Sequence, residues 1–345
     1  MRTVYSPDHA RHDPQKELSD GALVDAVEKP ARAEIVKARI EEVGLGSIEA
    51  PTAHDDALIA RVHSADYLQF LEGFWADWRA AGRDAEAFPF VWPVPGLRRH
   101  KAPRHIDGRL GYYSFDAGSP LTEGTWDAAR KGADTALSTV DIVSAGDRAA
   151  FALCRPPGHH AASDFYGGYC FLNNAAIAAE GFLAKGAERV AILDVDYHHG
   201  NGTQAIFEDR ADVLFVSLHA DPADEFPYFL GYADETGTGP GEGCNVNMPL
   251  AIGTDWPAYS DALAAALVRI RASGAEALVV SLGLDTFEND PISRFTLKSD
   301  DFRKMGRMLA GAGLPTAFIM EGGYAVAELG INCVNVLSDF EEAAG

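Results

Sequence analysis

The sequence predicts an α/β fold with a doubly wound, mostly parallel sheet and helices on both faces. Short apolar runs alternate with helical patterns along the chain. The runs are continuously apolar, without alternation, which is typical of strands buried on both faces of a parallel sheet. Several runs end in unusual polar sequence, where open parallel sheets bind ligands. No linker or repeat divides the chain, so we expect one domain over residues 1–345.

The individual elements follow from these patterns. Short apolar runs predict strands at Thr3–Tyr5, Ala149–Cys154, Val190–Val195, Val213–Leu218, Ala277–Leu282 and Thr316–Met320. Longer segments with helical periodicity predict helices at Ala31–Val43, Thr125–Val143, Asn173–Lys185, Tyr259–Ala272 and Ser299–Ala312. The last of these helices opens with a Ser-Asp-Asp cap.

Composition narrows the range of functions. The net charge of −22 disfavours nucleic acid, whose phosphates would be repelled, and suits either solubility alone or attraction of a cationic substrate. No stretch reaches the roughly 20 apolar residues of a membrane helix, and the N-terminus lacks a signal-peptide core. The four cysteines lack paired spacing and predict a reduced protein in the cytoplasm.

The segment from Val190 to Thr203 carries the strongest chemical signal. Its apolar run ends in Asp194, Asp196 and His198, which would project to one side if the strand stays extended. Neighbouring buried carboxylates repel unless a cation lies between them, so the segment predicts a metal site. A salt-bridge patch at the end of the strand is the alternative.

Asp285 follows another strand and completes a ligand set with Asp196 and His198. Catalytic zinc typically takes three protein ligands and leaves a position for water and substrate. The mixed oxygen and nitrogen donors also suit Fe(II), Co(II) or Mn(II). Taken alone, Asp285 could equally be a helix cap.

Groups suited to proton transfer follow two further strands. His159 and His160 come after Pro-Pro-Gly, and adjacent imidazoles can divide the work between proton transfer and electrostatic support. Tyr324 follows two glycines that allow a tight turn, and its phenol could donate to the oxyanion of a tetrahedral intermediate. Taken alone, Gly-Gly-Tyr would be a turn with a packed aromatic ring.

Together, these motifs resemble the histone deacetylase-like zinc amidohydrolases, which share the arginase–deacetylase fold. They run in that family's order, and as a set they are most similar to the bacterial acetylpolyamine amidohydrolases. The segments that carry the resemblance are 155–160 (RPPGHH), 167–174 (GGYCFLNN), 194–203 (DVDYHHGNGT), 217–219 (SLH), 283–285 (GLD) and 321–324 (EGGY).

The resemblance implies a role for each matching residue. Asp196, His198 and Asp285 match the zinc ligands. His160 matches the acid–base catalyst, and His159 matches its electrostatic partner. Tyr324 matches the residue that polarises the carbonyl, while Asp194 and Asn201 match the residues that orient His159 and His160. Many eukaryotic relatives have Asp in place of Asn201, so His160 is expected to be less basic here. A monovalent cation site, usually potassium, is implied at Asp194, Asp196, His198, Ser217 and Leu218, and a second one near Phe207, Arg210 and Val213.

The resemblance also implies a tunnel for a small acylated amine. Gly168 matches the carbonyl that receives the substrate amide N–H, and Tyr169 and Phe226 match its aromatic walls. Glu17 and Asp107 match acidic positions near the entrance, where carboxylates would attract a distal ammonium group. An insertion at about residues 82–115 is implied to build a homodimer and narrow the entrance. A solvated loop, or a salt-bridged patch on the protein's own acidic surface, is the alternative for that insertion.

These observations predict zinc-dependent hydrolysis of acetylpolyamines, such as N-acetylputrescine, N-acetylcadaverine or a longer homologue, to acetate and free amine. A broader acyl-lysine deacetylase of the same mechanism is one alternative. A metal-dependent binding module without turnover is a second. Ureohydrolase chemistry on two manganese ions is a third, but it would need more bridging carboxylates than the sequence supplies.

Overall fold

The computed structural model describes residues 1–345. Its strands are β1 (Arg2–Tyr5), β2 (Lys16–Ser19), β3 (Ala22–Asp25), β4 (Ile48–Glu49), β5 (Ala149–Leu153), β6 (Val190–Asp194), β7 (Val213–Ala220), β8 (Asn245–Leu250), β9 (Ala277–Leu282) and β10 (Thr316–Met320). Its α-helices are α1 (Ala31–Val43), α2 (Ile59–Val62), α3 (Ala65–Ala80), α4 (Ile106–Tyr112), α5 (Thr125–Ser144), α6 (Asn174–Ala184), α7 (Asn201–Phe207), α8 (Trp256–Ala272), α9 (Ser299–Ala310) and α10 (Val326–Ala344).

Eight strands form one sheet in the order β4-β1-β5-β10-β9-β6-β7-β8, and β2 pairs with β3 in a separate hairpin. Every neighbouring pair in the large sheet is parallel. Alternate residues of β6 pack into different cores: Ile192 lies with α3, α5 and α6, and Leu193 lies with α1, α8, α9 and α10. The predicted parallel sheet with helices on both faces is confirmed.

All six predicted strands are present, and two of the unpredicted elements, β8 and α3, have recognisable reasons. β8 lies at the edge of the sheet, so its sequence, Asn-Val-Asn-Met-Pro-Leu, need not be continuously apolar, and an edge strand tolerates Pro249. The helix α3 buries aromatic residues at helical spacing, including Phe70 and Phe74, and this periodicity could have predicted it. None of the helices has the length and apolar composition required to cross a membrane.

The order of the strands positions the site. The four strands that end in polar motifs, β5, β10, β9 and β6, are consecutive neighbours in the sheet. Because all four run in the same direction, their carboxyl ends lie side by side at one edge. Residues far apart in the sequence therefore meet there.

The predicted insertion is partly helical. Within residues 82–115, α4 occupies Ile106–Tyr112, and the His105 side chain accepts from the Asp107 N–H at its start. The preceding segment exposes large apolar side chains, with Phe90 68% and Leu97 60% exposed.

Candidate active site

Asp196, His198 and Asp285 converge beyond the ends of β6 and β9. One ligand atom from each lies within 4.8 Å of the others, and all three residues are buried. The strand does not stay extended to His198, as the simplest expectation required, because β6 ends at Asp194. The chain bends at Asp196, whose Oδ1 accepts the His198 N–H at 2.9 Å. The three side chains meet through this bend rather than through strand alternation.

The charges of this cluster favour a bound cation. Burial, and then the nearby Asp196, raise the pKa of Asp285 to about 7. Burial alone would lower the pKa of His198, but Asp196 and Asp285 raise it to about 10. His198 Nδ1 lies 3.2 Å from Asp285 Oδ2, so one imidazole and two carboxyl groups present their polar atoms to the same small space. A divalent ion with oxygen and nitrogen preference fits this donor set.

His159 and His160 follow β5 and have opposite electrostatics. His159 Nδ1 donates to Asp194 Oδ2 at 3.0 Å. Burial alone would lower the pKa of His159, but Asp196 and Asp194 raise it to about 10. Burial lowers the pKa of His160 well below its usual range, and the charge of His159 lowers it further. The pair therefore combines one imidazolium with one neutral imidazole.

Asn201 fixes the tautomer of the neutral partner. His160 Nδ1 donates to Asn201 Oδ1 at 2.6 Å, which leaves the Nε2 lone pair of His160 free to accept a proton. Gly168 packs against this ring, and a Cβ at position 168 would lie only 2.1 Å from His160 Cδ2. Glycine at 168 therefore allows the backbone of the tunnel wall to approach the imidazole closely.

Tyr324 lies on a turn that follows β10. Arg32 of α1 donates to the carbonyls of Glu321 and Gly323, each at 2.6 Å, and its guanidinium lies 4.5 Å from the centre of the Tyr324 ring. Gly322 N–H donates to Asp196 Oδ2 at 2.9 Å. The turn is therefore tied to both a buried cation and the metal-ligand cluster.

A cavity of about 360 Å³ leads to these groups. Aromatic rings form part of its wall, and Phe226 lies edge-on to His160 with ring centroids 5.1 Å apart. Besides the metal-ligand candidate Asp196, the Phe, Tyr, Asp and Glu residues that line the cavity are Tyr169, Phe226, Tyr228, Tyr324, Glu17, Asp20, Asp116 and Glu225. The cavity thus combines apolar walls with carboxylates.

Four of the five predicted substrate-binding residues line this cavity, namely Glu17, Gly168, Tyr169 and Phe226. Glu17 accepts from the Tyr169 hydroxyl at 3.2 Å. Asp107 does not line it: Asp107 lies at the start of α4, where Arg83 binds its carboxylate through both guanidinium ends. A role for Asp107 at an entrance would need a second chain to supply it.

Several residues of the site have no role assigned from the sequence, among them Asp116, Glu225, Glu321 and Asp290. Asp116 binds the backbone N–H groups of Gly168, Gly118 and Ser119, and the Asp-Ala-Gly-Ser turn was its only local signal. Glu225 lines the cavity and bonds to the Tyr197 hydroxyl.

Buried Glu321 accepts from the N–H groups of Gly158 and His159 at 2.6 and 3.1 Å. Asp290 accepts from the N–H of Tyr324. These contacts join distant segments, which sequence spacing does not reveal.

The residues expected near each of the two monovalent cations lie next to one another in the structure. Asp194 pairs with Ser217 across β6 and β7. Phe207 ends α7, Val213 begins β7, and the Arg210 N–H bonds the Phe207 carbonyl between them at 2.9 Å. The Arg210 side chain is engaged by Asp212 and Glu180.

Known proteins resemble this chain along its whole length. Residues 26–339 match the sequence profile of the Histone deacetylase domain. Acetylpolyamine amidohydrolase 2 of Pseudomonas aeruginosa is 57% identical over 341 residues, which cover 99% of each protein. The acetylpolyamine amidohydrolase of Mycoplana ramosa is 50% identical over 340 residues, 98% of each. A crystal structure of acetylpolyamine aminohydrolase from Burkholderia pseudomallei matches with a TM-score of 0.95 at 38% identity, covering 100% of both chains.

These matches confirm the resemblance drawn from the motifs and the prediction of a hydrolytic enzyme. The profile extends over most of the chain, and the relatives match the chain almost from end to end. The chain therefore belongs to the histone deacetylase domain family.

Proposed function

We propose that this protein is a zinc-dependent amidohydrolase that releases acetate from acetylpolyamines such as N-acetylputrescine, N-acetylcadaverine or longer homologues. The observation that carries the proposal is the meeting of a buried three-ligand cluster, a neutral imidazole and a phenol in one cavity. The names of relatives with 50% and 57% identity support the choice of substrate class.

Asp196, His198 and Asp285 would hold the metal ion. A divalent ion there would polarise the acetyl carbonyl and make water more acidic. Zinc suits the three-ligand set, and Fe(II), Co(II) and Mn(II) remain compatible with the same donors. Asp194 would orient His159 by accepting from its Nδ1, and it would hold the ligand segment by accepting the N–H of Asp196 at 3.1 Å.

The protein's own residues carry out the remaining steps. His160 accepts a proton from the attacking water at Nε2 and later donates it to the departing amine. The imidazolium of His159 stabilises negative charge that develops beside it. Burial raises the pKa of Tyr324 well above its usual range, so the phenol stays protonated and can donate to the oxyanion. The Gly168 carbonyl would accept the substrate amide N–H.

The cavity suits an aliphatic amine better than a neutral acyl chain. The rings of Tyr169 and Phe226 would contact methylene groups, and the carboxylates of Glu17 and Asp20 would attract a distal ammonium. Asp20 is exposed and has no hydrogen-bond or ion-pair partner within the chain, so its charge is free to act on a substrate. The net charge of −22 would likewise attract a cationic substrate.

We further propose that the single domain over residues 1–345 forms a homodimer through the 82–115 insertion. Phe90 and Leu97 expose apolar area that a second copy would cover, and the dimer would bring Asp107 towards the partner's entrance. We also propose potassium at the Asp194–Ser217 position and at the turn near Phe207, and a cytoplasmic location, which the four free cysteines support.

A substrate panel in metal-defined buffer tests the proposed function. Acetate release is measured from acetylated diamines, longer acetylpolyamines and an acetyl-lysine peptide, with His160→Ala as the inactive control. We expect chelator-sensitive release that is fastest with an acetylpolyamine. Faster turnover of the peptide would favour the broader deacetylase, and binding without any release would refute hydrolysis.

A further inference from the structure

We propose that Asp290 is a positioning residue that holds the Tyr324 phenol in its place for catalysis. This inference rests on the proposed role of Tyr324 in the hydrolysis. Asp290 lies on the loop after β9, five positions beyond Asp285, and it is 6% exposed. Neither the metal cluster nor the acid–base pair requires its carboxylate.

The carboxylate of Asp290 binds the backbone on both sides of Tyr324. Its Oδ2 accepts the N–H of Tyr324 at 2.6 Å and the N–H of Ala325 at 3.1 Å. Its Oδ1 accepts the N–H of Ile292, a residue that lines the cavity, at 3.1 Å. One side chain therefore orients two successive peptide planes beside the phenol and fixes its own loop at the same time.

The turn needs such a clamp because its own sequence is permissive. Two glycines precede Tyr324, and Gly323 has a φ of 119°, so the backbone there has few steric limits. Arg32 holds the carbonyl of Gly323 but makes no bond to the N–H groups that follow. Ala325, the cap residue of α10, has no side-chain acceptor to satisfy the helix N-terminus. Asp290, from another segment, accepts the N–H of Ala325 itself, the first of the unpaired N–H groups at this helix end.

The clamp also links the phenol to the metal-ligand loop. Asp285 and Asp290 share the segment after β9, and the Ser293 hydroxyl bonds the Asp285 carbonyl. Leu284 N–H donates to the Gly322 carbonyl at 3.1 Å. The distance between the phenol and the ligand cluster is thus set by bonds between the two loops. Loss of Asp290 would loosen Tyr324 without removing any metal ligand.

The test compares Asp290→Asn and Asp290→Ala in the wild type and in a Tyr324→Phe background. Asparagine keeps the shape of the side chain but offers one oxygen to three N–H donors, whereas alanine offers none. We therefore expect kcat to fall less for Asp290→Asn than for Asp290→Ala. Because a displacement of roughly 1 Å can cost about 100-fold, kcat should fall about 10-fold for Asn and about 100-fold for Ala, with KM within about threefold. In the Tyr324→Phe background, both changes should alter kcat by less than about threefold.

Asp301→Asn is the matched control. Asp301 accepts the Lys298 N–H at 2.8 Å at the start of α9, so it too is a capping carboxylate, but it bonds Lys298 and Lys304 and makes no bond to the Tyr324 turn. Its kcat should equal that of the wild type. Equal losses from the Asp290 changes in both backgrounds, or loss of bound metal from Asp290→Asn, would show a general structural role and overturn the proposal.

A crystal structure of Asp290→Asn separates this inference from the proposed function. We expect the ring of Tyr324 to be displaced or disordered, while Asp196, His198 and Asp285 keep their positions. An unmoved ring would overturn the positioning role whatever the enzyme acts on. Absence of acetate release by the wild-type protein would instead count against the proposed function alone.

Discussion

The change Tyr324→Phe separates catalysis from stability more cleanly than any other single substitution in the site. The ring packs edge-on against Tyr169 with centroids 5.7 Å apart, and the guanidinium of Arg32 lies 4.5 Å from its centre. Phenylalanine keeps both contacts. Tyr324 lines the cavity and its hydroxyl makes no hydrogen bond within the chain, so removal of the hydroxyl leaves no protein group without a partner.

The expected magnitudes differ accordingly. Loss of one oxyanion donor typically lowers kcat by about 100- to 1,000-fold, or roughly 3–4 kcal/mol of transition-state stabilisation. The free energy of unfolding should change by less than about 0.5 kcal/mol, because no buried bond is broken. KM should change little, since the hydroxyl acts mainly on charge that develops during the reaction.

The assay measures acetate release at saturating acetylputrescine, together with urea unfolding of the same preparations. Tyr67→Phe is the matched control: its buried hydroxyl donates to the Phe171 carbonyl at 2.6 Å, away from the cavity. It should lose about 1 kcal/mol of stability with kcat unchanged. A Tyr324→Phe variant with near-normal kcat would refute the assigned role, as would one whose stability falls as far as its activity.

Three further predictions concern metal, charge and pH. Zn²⁺ at about 100 times its Kd should stabilise the chelated protein by roughly 3 kcal/mol in thermal unfolding, and Asp285→Asn should abolish this gain; an equal gain in the variant would contradict the ligand set. Asp20→Asn should raise KM for acetylpolyamines about two- to fivefold at low salt, with no change in kcat; a difference that persists at high salt would rule out a screened charge. Burial lowers the pKa of His63 to about 4 in the folded protein, against about 6.5 in the unfolded chain. The buried neutral imidazole therefore contributes its full stability above pH 6.5, and this stability is lost as the pH falls towards 4. The loss at pH 4 is about 3 kcal/mol, and His63→Gln should flatten the unfolding free energy between pH 6.5 and 4; an unchanged slope would disprove this.

The sequence by itself determined the sheet and the chemistry at its edge. Continuous apolar runs identify buried parallel strands, because only a strand covered on both faces avoids polar residues throughout. The polar motifs after four of those strands then identify a shared edge, and the motif set identifies the family. Asp196, His198, Asp285, His159 and His160 could be named because each lies in the short segment that follows a strand.

Only the tertiary structure decided the contacts between segments that carry no such signal. The bend after Asp194, rather than an extended strand, brings the metal candidates together. Asp107 lies with Arg83 because α4 forms within the insertion, and local sequence did not reveal that helix. Asp290 reaches Tyr324 across a separation of 34 residues. Hydrogen bonds between loops depend on how the strands are ordered in the sheet, and that order is a property of the packed chain rather than of any segment.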